Sequence, residues 1–440
     1  MKRTFRKAAT SLLLILAVAL GARLGFAWNQ VRKIPTEVLG TAPFQTETGN
    51  VAYSLATGKG FASPYQRDSG PTAMLPPVYP LLLAGIFKIF GVHTRASFFA
   101  AVFLNILFSS AACVPIFYAG RRIAGIGSAR AAAWLWALFP TAIMMPFEWI
   151  LDTSLSALLA AVIVWATLGL AESKLLRDWC GYGLLWGVTL MTNPALASVF
   201  PLLLGWLVYR MRCEGRLQLA RPALAAALAL ICCIPWTARN YVIFHRFIPL
   251  RSNLGFELYI GNNENYDERR RAMPASITQD REILRYLRIG ETAFMDEEKH
   301  KAFQFMASHP RVELELFAKR FVDFWIGTAE PLRTFLETDS LLIRGLLLGN
   351  FLSSLGALLG VAVLFARRNA YAFPVAAFPC VFPILYYVTH TSLRYRHPID
   401  PIVLLLTAIA AAAALRGLPP AEVAQQRRLK LLMTLATLIQ

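Results

Sequence analysis

The chain has 440 residues, of which 56% are hydrophobic and only 16% charged, with a mean hydropathy of +0.49. Soluble domains average about 45–50% apolar and about 25% charged residues, so this balance excludes an ordinary soluble enzyme and predicts an all-α polytopic membrane protein. The net charge of +18 comes with no groove-reading motif, and basic loops facing anionic lipid account for it without a nucleic-acid partner.

The first predicted helix covers about residues 9–28, behind Lys2, Arg3, Arg6 and Lys7. Its start resembles a signal peptide, but the many apolar runs that follow favour an uncleaved helix in which Arg23 snorkels or faces the interior. Next comes a polar, Gly- and Pro-rich loop, ETGNVAYSLATGKGFASPYQRDSGPTAMLPPVYP, from Glu47 to Pro80. Its apolar continuation Leu81–Phe90 suits the membrane interface. Further helices are predicted at about 97–119, 131–147 and 150–171. A short hairpin at about 180–191 and 195–209 turns at Thr192-Asn193-Pro194, and another helix covers about 222–240.

Residues 243–338 form the one long polar region, too long for a bare connection. RVELELFAKRFVDFW, with Val312, Leu316 and Phe317, reads as helical, so a small outer subdomain is expected there. Helices at about 340–366, 371–390 and 397–415 follow. The final RRLKLLMTLATLIQ is too short to span alone, which leaves open whether residues 429–440 span or lie on the membrane. Three units result: 1–242 with a first outer loop at 29–96, the 243–338 subdomain, and 339–440. Short loops assigned inside are basic, whereas the tips at 148–150 and 192–194 lack Lys and Arg. That asymmetry predicts about ten spans in a bacterial inner membrane with both termini cytoplasmic.

Six cysteines fall in apolar segments or at their edges, with no CxxC spacing, so neither a disulfide framework nor a metal knuckle is expected. HExxH, Walker A, nucleophile-elbow and GxGxxG motifs are also missing. Lacking a nucleotide site, the chain would draw its energy from an activated lipid or a gradient.

Three stretches carry the chemistry. Thr46 fits the cap of a helix running to Ala56 and stopped by Gly58, which puts Glu47 in the positive first turn. A carboxylate kept charged there can take a proton from an acceptor hydroxyl; a surface-helix acid is the plainer alternative. Arg394-Tyr395-Arg396-His397-Pro398 places two guanidiniums and an aromatic ring at a membrane edge, suited to a lipid phosphate or equally to headgroup snorkelling. Around the exit of the 222–240 helix, Arg239, Asn240, Arg251, Asn253 and Asn262 are interleaved with aromatics, as sugar hydroxyls and ring faces would require; turn chemistry explains about half of them. Asp68 reads as a solvated loop acid, while Glu148 and Asp152, one helical turn apart, are secondary candidates for lining the site.

Together these stretches, with AYSLATGKGF, MTNPAL, PWTARNYVIF, RSNLGFELYIGNN and RYRHPIDP in this order, resemble the bacterial GT-C fold membrane glycosyltransferases. That group includes the protein O-mannosyltransferases and the aminoarabinose transferase of lipid A, and the resemblance covers nearly the whole chain. It implies inverting transfer of a sugar from a polyprenyl-phosphate donor to a lipid, polysaccharide or protein acceptor at the periplasmic face. It maps the family's first-loop acid onto Glu47, although many relatives carry Asp or an Asp-Glu pair where this chain reads Gln45-Thr46-Glu47. It also maps the arginines near the lipid phosphate onto Arg394 and Arg396 by position. No cofactor is assigned, and a divalent metal is left open. An O-antigen ligase or polymerase relying on loop arginines is the alternative, and a lipid-linked glycan transporter a third.

Overall fold

The computed structural model describes residues 2–35, 38–65, 67–264 and 280–416. The C-terminal segment 427–440, read above as interfacial or spanning, lies outside them. The described residues form helices joined by turns, with no β-strand and a single isolated bridge between Ala62 and Pro71. Among the described residues, seven stretches are long and apolar enough to cross a membrane: Thr10–Val31, Arg95–Leu138, Thr153–Leu170, Pro194–Cys213, Ala220–Phe244, Leu341–Ala366 and Leu393–Leu415. The chain is a multi-pass membrane protein.

One of the seven, Arg95–Leu138, doubles back. Gly125 takes φ 84° and ψ −179°, a region open mainly to glycine, and the two arms pack antiparallel. The Trp136 indole donates to Ser109 O at 2.7 Å, and a Cβ on Gly120 would lie 3.0 Å from Ala129 Cα. The shorter helices Leu176–Leu190 and Ala372–Val381 fall below the ~20 residues a span needs. Length and composition alone give seven such stretches against the ten or so spans expected, the difference falling at the doubled stretch and at helices shorter than a span.

Close packing needs small residues, because lipid offers helices little hydrophobic reward for association. Helix Leu341–Ala366 meets helix Asp400–Arg416 so closely that a Cβ on Gly360 would sit 2.2 Å from Leu406 O. Arg23 faces the interior, fully buried. It donates to Ser109 Oγ (2.8 Å) and to the carbonyls of Ala19 (2.9 Å), Ala137 (3.1 Å) and Trp136 (3.2 Å), the latter two freed where helix Cys113–Leu138 ends.

At one end of the bundle the first loop packs on helices Leu254–Gly261, Asp280–Ile289 and Glu291–Ser308, and helices Pro310–Ile326 and Pro331–Glu337 continue this layer toward helix Leu341–Ala366. Two buried charges tie this layer together. Glu291 accepts from Thr72 Oγ1 (2.5 Å), Ala73 N (2.8 Å), Ser252 Oγ (2.7 Å) and Tyr286 OH (2.9 Å), joining the first loop to both later segments. Arg320 donates to Gly261 O (2.5 Å), Asn262 Oδ1 (2.7 Å) and the carbonyls of Tyr387 and Val388 (both 3.1 Å).

Candidate active site

Glu47 opens helix Glu47–Ala56. Thr46 has extended backbone (φ −121°, ψ 162°), and its hydroxyl accepts from Gly49 N at 3.2 Å, which is the capping arrangement that stabilises a first-turn acid. The helix is then pinned across the loop by Asn50 Nδ2 donating to Pro64 O at 2.8 Å. Glu47 itself is exposed, so its carboxylate is open to an incoming group.

Two arginines from distant segments stand near this end of the helix, and one of them, Arg394, lies in the charge field of that carboxylate. Arg394 sits on the short helix Leu393–Arg396, its guanidinium 4.8 Å above the Trp149 ring and 5.1 Å above the Tyr395 ring. Both Glu47 and Glu257 lie within electrostatic reach of it. Arg251 precedes helix Leu254–Gly261, held in place by Ser252 N donating to Ala73 O (2.9 Å) and by the Trp236 indole on Leu250 O (2.7 Å). Asp152 and Glu257 both feel Arg251 and Arg394. Neither arginine forms an ion pair among the described residues: Arg394 donates only to Tyr395 OH at 3.3 Å. Two half-buried guanidiniums without carboxylate partners can take an anion with several oxygens.

The acids around them differ. Burial pushes the Asp152 carboxyl up; Ser156 Oγ, donating at 2.8 Å, and the charges of Arg394 and Arg251 only partly oppose it. Burial acts the same way on Glu257. There the His390 hydrogen bond and charge, with Arg251 and Arg394, outweigh it and hold the carboxyl down at about 2. Glu257 is bonded to His390 Nε2 at 2.6 Å and to Asn253 Nδ2 at 2.7 Å. Among the described residues no three His, Cys, Asp or Glu side chains converge as metal ligands.

Several residues expected here are used elsewhere. Arg396 does not join Glu47: its side chain is buried against Asp400 (2.7 Å) and Ser353 Oγ (2.6 Å). The reason is helical geometry. Leu393–Arg396 is a turn of helix, so positions two apart point about 200° apart. His397 is likewise fully buried, stacked on Trp136 at 5.4 Å. Tyr395 remains at the site, stacked on Tyr386 at 4.9 Å. Arg239 is occupied by Phe61 O (2.8 Å) and Thr72 O (2.6 Å), and so staples the first loop.

The amides are internal too. Asn240 is spent on Ile248 O, Asn262 on Leu258 O, Val388 O and Arg320, and Asn253 on Glu257. Asp68 is exposed and accepts from Ser63 Oγ. Glu148 ends helix Pro140–Glu148 and is exposed, while Asp152 precedes helix Thr153–Leu170 and accepts from Ser156 Oγ without capping a backbone N–H. A break at Trp149 separates the two, so only Asp152 enters the charge cluster. Glu257 and His390 were missed by sequence reasoning. The signal available was a lone acid in the apolar octet LGFELYIG and a lone His in VTHTS.

Residues 75–238 match the family described as Dolichyl-phosphate-mannose-protein mannosyltransferase. No curated protein matches the chain in sequence. Among solved structures, it is similar to the oligosaccharyltransferase AglB of Archaeoglobus fulgidus in complex with an inhibitory peptide and a dolichol-phosphate. That match has a TM-score of 0.56 and 14% identity over 97% of this chain and 52% of the other. It is also similar to ArnT of Cupriavidus metallidurans bound to undecaprenyl phosphate, with a TM-score of 0.51 and 13% identity over 94% of this chain and 61% of that one.

The chain has the GT-C fold. It spans about half the length of the archaeal structures it matches. The charged cluster lies where the first loop meets the segments before the last helices.

Proposed function

We propose that the protein is a glycosyltransferase that moves a sugar from a polyprenyl-phosphate donor to an acceptor hydroxyl at the periplasmic face, with inversion at the anomeric carbon. Glu47 takes the hydroxyl proton as the acceptor oxygen attacks the anomeric carbon. The bond from that carbon to the phosphate oxygen breaks, and its electron pair leaves with the lipid phosphate. Arg251 and Arg394 stabilise the charge that builds on the departing phosphate. The products are the glycoside and the polyprenyl phosphate.

The observation that carries this reading is one grouping. An exposed, capped carboxylate lies within electrostatic reach of Arg394, which faces Asp152 and Glu257 together with Arg251, and among the described residues neither arginine is engaged in an ion pair. The structures with dolichol-phosphate and undecaprenyl phosphate on the same fold support a lipid phosphate as the anion. Basic loops at the opposite end of the bundle support the periplasmic orientation.

The test uses Glu47→Gln, which keeps size and polarity but cannot accept the proton. With purified protein and radiolabelled polyprenyl-phosphate sugars, the variant is expected to lose at least about 100-fold in transfer while still inserting in the membrane. Survival of transfer in Glu47→Gln together with its loss on removing the loop arginines would instead favour a ligase-type enzyme.

A further inference from the structure

Glu257 has no role in the transfer just described, yet its carboxylate stands among the groups that do. It lies within electrostatic reach of both Arg251 and Arg394 and is hydrogen-bonded to neither. Both of its oxygens are already engaged: Oε1 accepts from Asn253 Nδ2 at 2.7 Å and Oε2 meets His390 Nε2 at 2.6 Å. His390 is buried with its ring 5.3 Å from that of Tyr395, the residue whose hydroxyl Arg394 touches. So fixed, the carboxylate cannot swing onto an arginine and close the site. It acts on the two cations only through space.

A simpler role would be to brace helix Leu254–Gly261 against the 387–390 segment. That joint is already secured twice. Arg320 bridges Gly261 and Asn262 to Tyr387 and Val388, and the backbones touch so closely that a Cβ on Gly261 would lie 1.8 Å from Thr389 O. A third brace made from a buried anion adds desolvation cost for little mechanical gain.

Charge bookkeeping supplies a reason for the anion. A sugar-phosphate-lipid donor is a diester with one negative charge, whereas the released lipid phosphate is a monoester carrying about −1.5 to −2 at pH 7. Two uncompensated arginines would therefore hold the product more tightly than the donor, and product release limits many enzymes. The other acids facing the pair are Glu47, which is exposed, and Asp152, whose burial disfavours its charged form.

We infer that Glu257 is a built-in counter-anion for the Arg251–Arg394 pair, a positioning residue that loosens the grip on the product phosphate so that it leaves. This rests on the reading of that pair as the donor-phosphate site.

The experiment measures binding of undecaprenyl phosphate to the full-length protein in lipid nanodiscs, for wild type, Glu257→Gln and Glu257→Asp, alongside turnover. Removing the charge is expected to tighten binding by at least about tenfold, as one unit charge does across about 12 Å in an effective dielectric of about 20. Both kcat and the donor KM should fall. Glu257→Asp keeps the charge but shortens the reach to Asn253 and His390, and is expected to bind like wild type. Unchanged or weaker binding by Glu257→Gln overturns the inference, as does weakened binding by Glu257→Asp, the result expected of a brace. Those outcomes leave the phosphate site standing, whereas a wild type that binds no polyprenyl phosphate removes both.

Discussion

At the scale of single residues, the most informative contrast is between Arg394 and Arg396. They are two positions apart and alike in sequence context, yet one faces the charge cluster and the other is sealed against Asp400 and Ser353. Arg394→Ala is expected to weaken donor use, read as a raised KM for polyprenyl-phosphate sugar, with melting temperature little changed. Arg396→Ala strands Asp400 inside the bundle and is expected to destabilise by roughly 3–5 kcal/mol, read as a lowered melting temperature in detergent. Equal effects on both readouts would contradict the division. The motif RYRHP was legible as important; which arginine served which purpose was not, because that depends on a helical turn lying between two longer helices.

Asp152 gives a second test at this scale. Burial raises its folded-state pKa above the unfolded value, so its contribution to stability is fully present below the unfolded value and is lost as pH rises from there through the folded value. At neutral pH, Asp152→Asn is therefore expected to be more stable than wild type in a melting assay, and a less stable variant would contradict this. A destabilising charge kept beside two arginines is what a functional site tolerates.

At the scale of elements, the layer over the bundle joins a small apolar cluster around Tyr286 and Phe294 to buried polar knots. Glu291 gathers four donors from three stretches. Glu291→Ala leaves these donors unpaired and is expected to cost about 3 kcal/mol or more, loosening the loop at Thr72–Ala73 and the segment carrying Arg251 together. Limited proteolysis should then cut both segments faster than in wild type, and unchanged cleavage of either would contradict the joint role. The capped helix behind Thr46 was legible from local pattern alone, since capping and glycine stops are short-range signals. The buried amides Asn240, Asn253 and Asn262 were not. An amide in a polar loop reads the same whether it faces solvent or a carbonyl more than a hundred residues away, as with Asn262 and Val388.

At the scale of the whole molecule, hydropathy made the bundle legible and resolved its passes well, apart from helices near the length limit. Loop charge was the weaker guide to chemistry, because it reports which end is basic and not which cations lack partners. Glu257 and His390 come from positions 133 residues apart and became visible only once the fold brought them together. The bundle thus delivers Glu47, Arg251 and Arg394 from three distant stretches to one end, and the account stands or falls on that convergence.

The most direct measurement is label transfer from radiolabelled polyprenyl-phosphate sugars into a membrane extract, by wild type and by Glu47→Gln, with lipid-phosphate binding followed in parallel. The account predicts that wild type labels an acceptor, and that the variant binds the lipid phosphate normally but transfers about 100-fold less or nothing. Transfer by Glu47→Gln at the wild-type rate, or no label from any donor with wild type, would contradict it.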